Sequence, residues 1–155
     1  PHNLNKRAID LTKLVMYSLD HCKKNYLNKK NIEFITHVEN NIMILCDKCY
    51  MRLVVDTLII NAIKYSNQGK ITIYLKRSGY SIEFKIIDEG SIASEELATI
   101  FDAFVTNSRT NRFFDQQNVA FALCKKVIEL HYGTISANSN KTEGVIFTFT
   151  LPGEI

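Results

Sequence analysis

No stretch of this 155-residue chain is apolar for anything near the ~20 residues that a membrane-spanning helix requires. The domain is therefore expected to make no membrane contact of its own. Charge of one sign is also scarce. The chain carries 19 Lys and Arg against 16 Asp and Glu, a net charge of +3, and the basic residues form no stripe. A nucleic-acid partner is disfavoured on that ground. Lys23, Lys24, Lys29 and Lys30 cluster mildly and read as the solvated end of a helix. Repeats and low-complexity tracts are missing. So is a second cysteine pair: Cys46 and Cys49 have the spacing of a zinc or redox half-site, but Cys22 and Cys124 do not complete a tetrahedral set. The four read as reduced thiols of a cytosolic protein. The chain opens on Pro1 with no signal-peptide pattern, and reads as a piece of something longer.

What is present suffices for one domain spanning 1–155, with 46% hydrophobic and 23% charged residues. Asp10 is a plausible N-cap for a helix carrying Leu11, Leu14, Val15, Leu19 and Cys22 at helical spacing. Asn28 to Asn31 breaks it. A short strand with Ile32, Phe34 and Thr36 follows, then a second strand over Ile42 to Cys46. Asp47 caps a helix running to Tyr65, with a stripe of Tyr50, Leu53, Val54, Thr57, Leu58, Asn61, Ala62 and Tyr65. Lys70 to Lys76 and Ile82 to Asp88 alternate in period two and form a hairpin around Gly79. Ser94 with Glu95 and Glu96 opens a short helix bearing Leu97, Ile100, Phe101 and Phe104. Val105 to Asn118 is polar, aperiodic and long for a connector, as lids are. A helix then runs to His131 with Gly133 near its C-cap, and two strands, Thr134 to Ala137 and Val145 to Leu151, close the chain. About six strands and three main helices predict an α+β, two-layer α/β sandwich, a mixed sheet covered by helices on one face.

Three places ask for chemistry. Asn61 lies in an apolar stripe, where an amide needs partners; it is either a satisfied core residue or a ligand or metal contact. Lys64 and Tyr65 follow one turn later. Asp88 ends an apolar strand and is followed at once by Glu89-Gly90-Ser91-Ile92; it is either a turn residue or a buried acceptor for a ligand's amino group. Arg109 and Arg112 in the polar segment can meet phosphate oxygens or simply solubilise a loop.

Read in order, the chain gives a helix with N-A-I-K-Y-S, a hairpin, D-x-G-x-I, I-F-D-A-F, a polar segment, a helix ending E-L-H-Y-G-T-I, and a closing strand F-T-F-T-L-P. This series resembles the ATP-binding catalytic domain of sensor histidine kinases, in the Bergerat-fold ATPase superfamily, over nearly the whole chain. The resemblance implies ATP and Mg2+ as cofactors. It puts Asn61 at the Mg2+-coordinating asparagine and Lys64 at a phosphate-contacting lysine, the two catalytic candidates. It puts Tyr65 against adenine and Asp88 at the aspartate that accepts from the adenine amino group. Gly90 and Ile92 would line the base pocket, and Phe101 and Phe104 would anchor a lid that carries Arg109. Phe121 would close the ATP site. The implied partners are upstream dimerisation and phospho-acceptor helices and a response regulator, within a cytoplasmic part of a bacterial two-component sensor. None of His2, His21, His37 and His131 has the family's acceptor pattern, so the acceptor is expected elsewhere.

Several positions depart from the family pattern. Thr57 replaces an asparagine that is a water-activating glutamate in hydrolytic relatives, which disfavours an ATP-hydrolysing engine. The second glycine of the Asp88 box is missing between Ser91 and Ile92. Asn118-Val119-Ala120-Phe121 stands where a G-x-G-L sequence normally lets backbone N–H groups reach phosphate. Ile146 stands where a threonine usually supports adenine through water. Two functions follow from this mixture: a histidine protein kinase catalytic domain, or a pseudokinase interaction module of the same fold that binds nucleotide poorly or not at all.

Overall fold

The computed structural model describes residues 3–66, 68–90, 116–140 and 144–153. The order of elements is β1 (Lys6–Asp10), α1 (Leu11–Tyr26), β2 (Asn31–Val38), β3 (Met43–Asp47), α2 (Lys48–Tyr65), β4 (Gln68–Ser78), β5 (Ser81–Asp88), α3 (Gln116–Leu130), β6 (Thr134–Asn140) and β7 (Gly144–Pro152). Five strands form one sheet in the order β2-β4-β5-β7-β6, while β1 and β3 form a separate antiparallel pair. Only β2 runs parallel to its neighbour, β4; the other pairings are antiparallel. The sheet is thus mixed, as expected.

Period-two patterning decides which face is covered. Ile71, Ile73 and Leu75 of β4, Ile82, Phe84 and Ile86 of β5, and Val145, Phe147, Phe149 and Leu151 of β7 are buried beneath the helices. Phe84 and Phe149 stack with ring centroids 4.9 Å apart. The alternate residues stay half-exposed, with His37 stacked on Tyr74 at 4.9 Å on the outer face. Asp10 and Asp47 cap their helices as read, accepting from the Lys13 and Tyr50 N–H groups, each at 3.1 Å. No helix among the described residues is long and apolar enough to cross a membrane.

Four features add to or refine the expectations. Lys6–Asp10 is a strand: Ala8 pairs with Leu45 and Ile9 with Ile44, a pairing that five mostly polar residues do not advertise. The buried side of α2 is wider than the stripe: Val54, Leu58, Asn61 and Ala62 are buried within it, and a second face is buried beside it. Met51, Val55, Ile59 and Ile63 are buried, while Tyr50 and Leu53 are exposed, because the helix packs on α1 as well as on the sheet. The polar segment thought to end at Asn118 is already helical from Gln116. Finally, the left-handed residue after α3 is Tyr132 (φ 64°), not Gly133. Gly133 is needed for space, since a Cβ there would lie 2.0 Å from the Thr150 carbonyl oxygen.

The C-terminus of α3 is tied to the N-terminus of α2 by one imidazole. His131 is 4% exposed. Its Nδ1 donates to the Val127 carbonyl at 2.7 Å, and its Nε2 accepts from the Asp47 N–H at 3.0 Å. These bonds require the neutral ring. Burial holds its pKa below the ordinary 6.5. The Asp47 carboxylate also accepts from the Asn5 N–H at 2.9 Å. Burial alone would raise that carboxyl, but the N–H groups of Asn5, Tyr50 and Cys49 bring it below its usual value. Replacing His131 with Leu should cost about 1–3 kcal/mol at pH 7, measured by urea unfolding, because it strands the buried Asp47 N–H, while the Val127 carbonyl keeps the backbone N–H of residue 131. The unfolded ring gains a proton below pH 6.5 before the folded ring does. The gap between native and variant should therefore narrow as pH falls from 7 towards 5.

Candidate functional site

Of the expected site residues, Tyr65, Asp88 and Gly90 meet at one end of the sheet, where α2 and β5 finish and β4 and β7 begin, with Asn61 and Lys64 in the last turns of α2. Asn61 is 3% exposed on α2, in a helix face otherwise made of Leu58, Ala62 and Val54. Lys64 is exposed three residues on, and its Nζ lies 5.6 Å from the centre of the Tyr65 ring. The helix ends in Ser66, whose extended backbone (φ −109°, ψ 134°) turns the chain into β4.

Asp88, the last residue of β5, is 3% exposed. Its Oδ1 accepts from the Gly90 N–H at 2.8 Å. Burial, only partly offset by that bond, pushes its carboxyl up to about 6. Two glycines allow close backbone approach around this residue. A Cβ on Gly90 would lie 2.9 Å from Asp88 Oδ1 and 3.3 Å from the Tyr65 carbonyl oxygen. One on Gly144 would lie 2.0 Å from the Asp88 carbonyl oxygen, and Gly144 has φ +97°. The result is a carboxylate held at the end of the sheet with one backbone donor, beside the helix that carries Asn61 and Tyr65. Ser66, the residue after Tyr65, has a buried Oγ with no hydrogen-bond partner among the described residues. An uncompensated carboxylate and an orphaned hydroxyl suit a ligand that brings its own polar hydrogens. A base with an amino group fits that donor set, and the Asn61 amide oxygen suits a hard divalent cation.

Other expected residues fall differently. Phe121 is fully buried, and its ring stacks on Phe147 with centroids 5.2 Å apart. Ile92, Phe104 and Arg109, with Phe101 and Arg112, lie outside the described residues. Ile146 pairs with Ile87 and is half-exposed, whereas Val145 pairs with Asp88 and is 2% exposed. The residue that shares the Asp88 face is therefore Val145, one position earlier than expected. The substituted glycine box also sits differently. Residues 118–121 are inside α3, which begins at Gln116.

Thr57 donates to the Leu53 carbonyl at 2.8 Å and offers no charge at its position. Cys46 is buried and Cys49 exposed, and burial pushes the Cys22, Cys46 and Cys124 thiols up to about 11, about 11 and about 12. Such thiols are poor nucleophiles and poor metal ligands. Sequence reasoning missed Gly144, which it saw only as part of a turn, and Lys30, read as solvated charge. Lys30 Nζ donates to the carbonyls of Ile63 at 2.8 Å, Lys64 at 3.1 Å and Ser66 at 2.9 Å.

This fold and this site define a nucleotide-binding ATPase domain. The chain belongs to the family of histidine kinase-, DNA gyrase B- and HSP90-like ATPases, whose pattern matches residues 47–155. Its relatives place it among the catalytic domains of sensor histidine kinases. It is 31% identical to the sensor protein KdpD of Clostridium acetobutylicum over 157 residues, covering 97% of this chain and 17% of that protein. It is 32% identical to the adaptive-response sensory kinase SasA of Parasynechococcus marenigrum over 156 residues, covering 96% and 39%. The chain thus spans well under half the length of these curated relatives. The catalytic domain of histidine kinase ThkA superposes with a TM-score of 0.82 at 21% identity, over 97% of each chain. Full-length ShkA in complex with AMPPNP superposes with 0.81 at 20% identity, over 97% of this chain and 32% of that one.

The close approach at Gly144 gives a direct test of the site's architecture. Gly144→Ala combines a left-handed backbone with a collision against Asp88, and should cost more than ~3 kcal/mol in urea unfolding. Gly79→Ala, which meets nothing within 4 Å at φ +62°, should cost only about 1 kcal/mol.

Proposed function

We propose that this domain binds ATP with Mg2+ and, joined to a dimerisation domain, passes the γ-phosphoryl group to a histidine there. The observation that carries this reading is the buried, under-compensated Asp88 beside the helix of Asn61, Lys64 and Tyr65. In the ionised form Asp88 accepts from the adenine amino group, and the Tyr65 ring packs along the base. Asn61 holds the metal, which when bound neutralises charge on the phosphates, and Lys64 supplies a further cation. The acceptor imidazole nitrogen attacks the γ-phosphorus in line. A P–N bond forms as the bond to the ADP oxygen breaks, and the ring proton goes to a base on the acceptor domain. Gly90 lines the base pocket, and Ile92, Phe104 and Arg109 complete the site from segments beyond the described residues. A response regulator then takes the phosphoryl group. The reading puts the domain in the cytoplasm, where ATP is, with no nucleic acid and no membrane contact of its own.

A pseudokinase of the same fold is the second reading. It is favoured by one observation: Asn118 and Ala120 stand where the family pattern has glycines that let backbone N–H groups reach phosphate. Loss of one charge-assisted bond weakens binding roughly 10- to 150-fold. ATP and ADP should therefore bind weakly and nearly equally, with Asn61→Ala chiefly removing the Mg2+ dependence. Tight binding with strong preference for ATP would show an intact phosphate site; no binding of either would leave the pseudokinase. The chain by itself should gain no acid-labile phosphate until acceptor helices are supplied.

Asp88 makes the reading testable by pH. Its folded pKa is raised, so the stability it contributes is full below 3.8 and is lost as pH rises through about 6. Asp88→Asn should then stabilise the free domain at pH 7 by up to about 3 kcal/mol in urea unfolding while abolishing nucleotide binding. In the native protein, calorimetric affinity for ADP should fall about tenfold between pH 7 and pH 5, as the acceptor is protonated.

A further inference from the structure

We propose that Lys30 is a positioning residue of the nucleotide site, an inference that rests on the reading above. A helix C-terminus leaves its last carbonyls without intrahelical donors. In α2 there is no glycine cap: Ser66 is extended, and its N–H reaches only the Ile63 carbonyl, at 3.3 Å. The Lys30 ammonium comes from another element, at the head of β2, and spends its three hydrogens on Ile63, Lys64 and Ser66. A cation at this end also complements the helix dipole.

The approach that delivers Lys30 is strained. Asn28 (φ 48°) and Lys29 (φ 66°) are both left-handed, and the Lys30 N–H closes the turn on the Leu27 carbonyl at 3.0 Å. Asn tolerates this backbone, but Lys does so at a cost. Left-handed residues in succession are kept where something downstream depends on the geometry.

What depends on it is Tyr65. Its peptide lies between two clamped carbonyls, those of Lys64 and Ser66. The Tyr65 carbonyl in turn backs Gly90, 3.3 Å from where a Cβ would stand, and the Gly90 N–H holds Asp88 Oδ1. A line of contact therefore runs from Lys30 through the Tyr65 peptide and Gly90 to the carboxylate that meets the base. Lys30 touches no nucleotide; it sets where Tyr65 and Asp88 stand.

The test compares Lys30→Met and Lys30→Arg with the native chain, at a temperature where circular dichroism shows all three folded. Lys30→Gln takes the place of Lys30→Met if that variant does not fold. Lys30→Met should shift the Gly90 amide resonance in the nucleotide-free protein. It should also weaken ADP about tenfold by calorimetry, with the Mg2+ dependence unchanged. Lys30→Arg should keep the Gly90 resonance and bind within about threefold of native. Lower melting temperature in Lys30→Met with the Gly90 amide unmoved would overturn the proposal and leave Lys30 a helix cap. If the native chain binds no ADP, the kinase reading fails, and the Gly90 resonance alone still decides whether Lys30 governs the Asp88 turn.

Discussion

The neutral imidazole of His131 fixes the helical layer on which the site depends. It uses both ring nitrogens, one on the α3 carbonyl of Val127 and one on the backbone N–H of Asp47. Asp47 caps α2 and holds Asn5 at the entry to β1. Four segments thus share one buried polar cluster, and its members leave no ring nitrogen unpaired. The far end of α2 is held by Lys30. A helix pinned at both ends can carry Asn61 and Tyr65 to fixed positions without relying on the segments around 91–115.

The site itself runs against stability. A carboxylate buried to 3% exposure with one backbone donor is a liability in the free domain, as its pKa of about 6 records. The surrounding core tolerates it because β5 is otherwise wholly apolar on its covered face and Phe84 stacks on Phe149. Binding free energy withheld from folding in this way is available to a ligand that supplies the missing donor.

Much of this was legible in the sequence because the signals were local. Asp10 and Asp47 cap their helices as their positions imply, and β4 and β5 follow their alternation. The features that escaped are those made by distant residues. β1 is a strand because β3 offers it edges, not because Lys6-Arg7-Ala8 favours extension. The exposure of Tyr50 and Leu53, at the start of a stripe whose later members Val54, Leu58 and Ala62 are buried, depends on what α2 packs against, which no periodicity within α2 encodes. Ile146 and Val145 differ by one residue, and only the pairing of Val145 with Asp88 tells which faces the site. Lys30 resembled any surface lysine until the carbonyls it meets, more than thirty residues on, were in view.

The parallel pairing of β2 with β4 has a bearing on how the chain reaches this structure. Every other ladder in the sheet joins antiparallel strands, and β4 meets β5 through a tight turn. β2 must instead wait for β3 and α2, which lie between it and its partner in the chain. Loop-closure entropy makes such a pairing late. β2 is also one of the two edge strands of the five-stranded sheet. With Lys30 at its head, departure of that edge would release the end of α2. Order at the nucleotide site is in this way coupled to the pairing of this edge, and a chain in which β2 had not joined β4 would lack the Lys30 contacts to the end of α2.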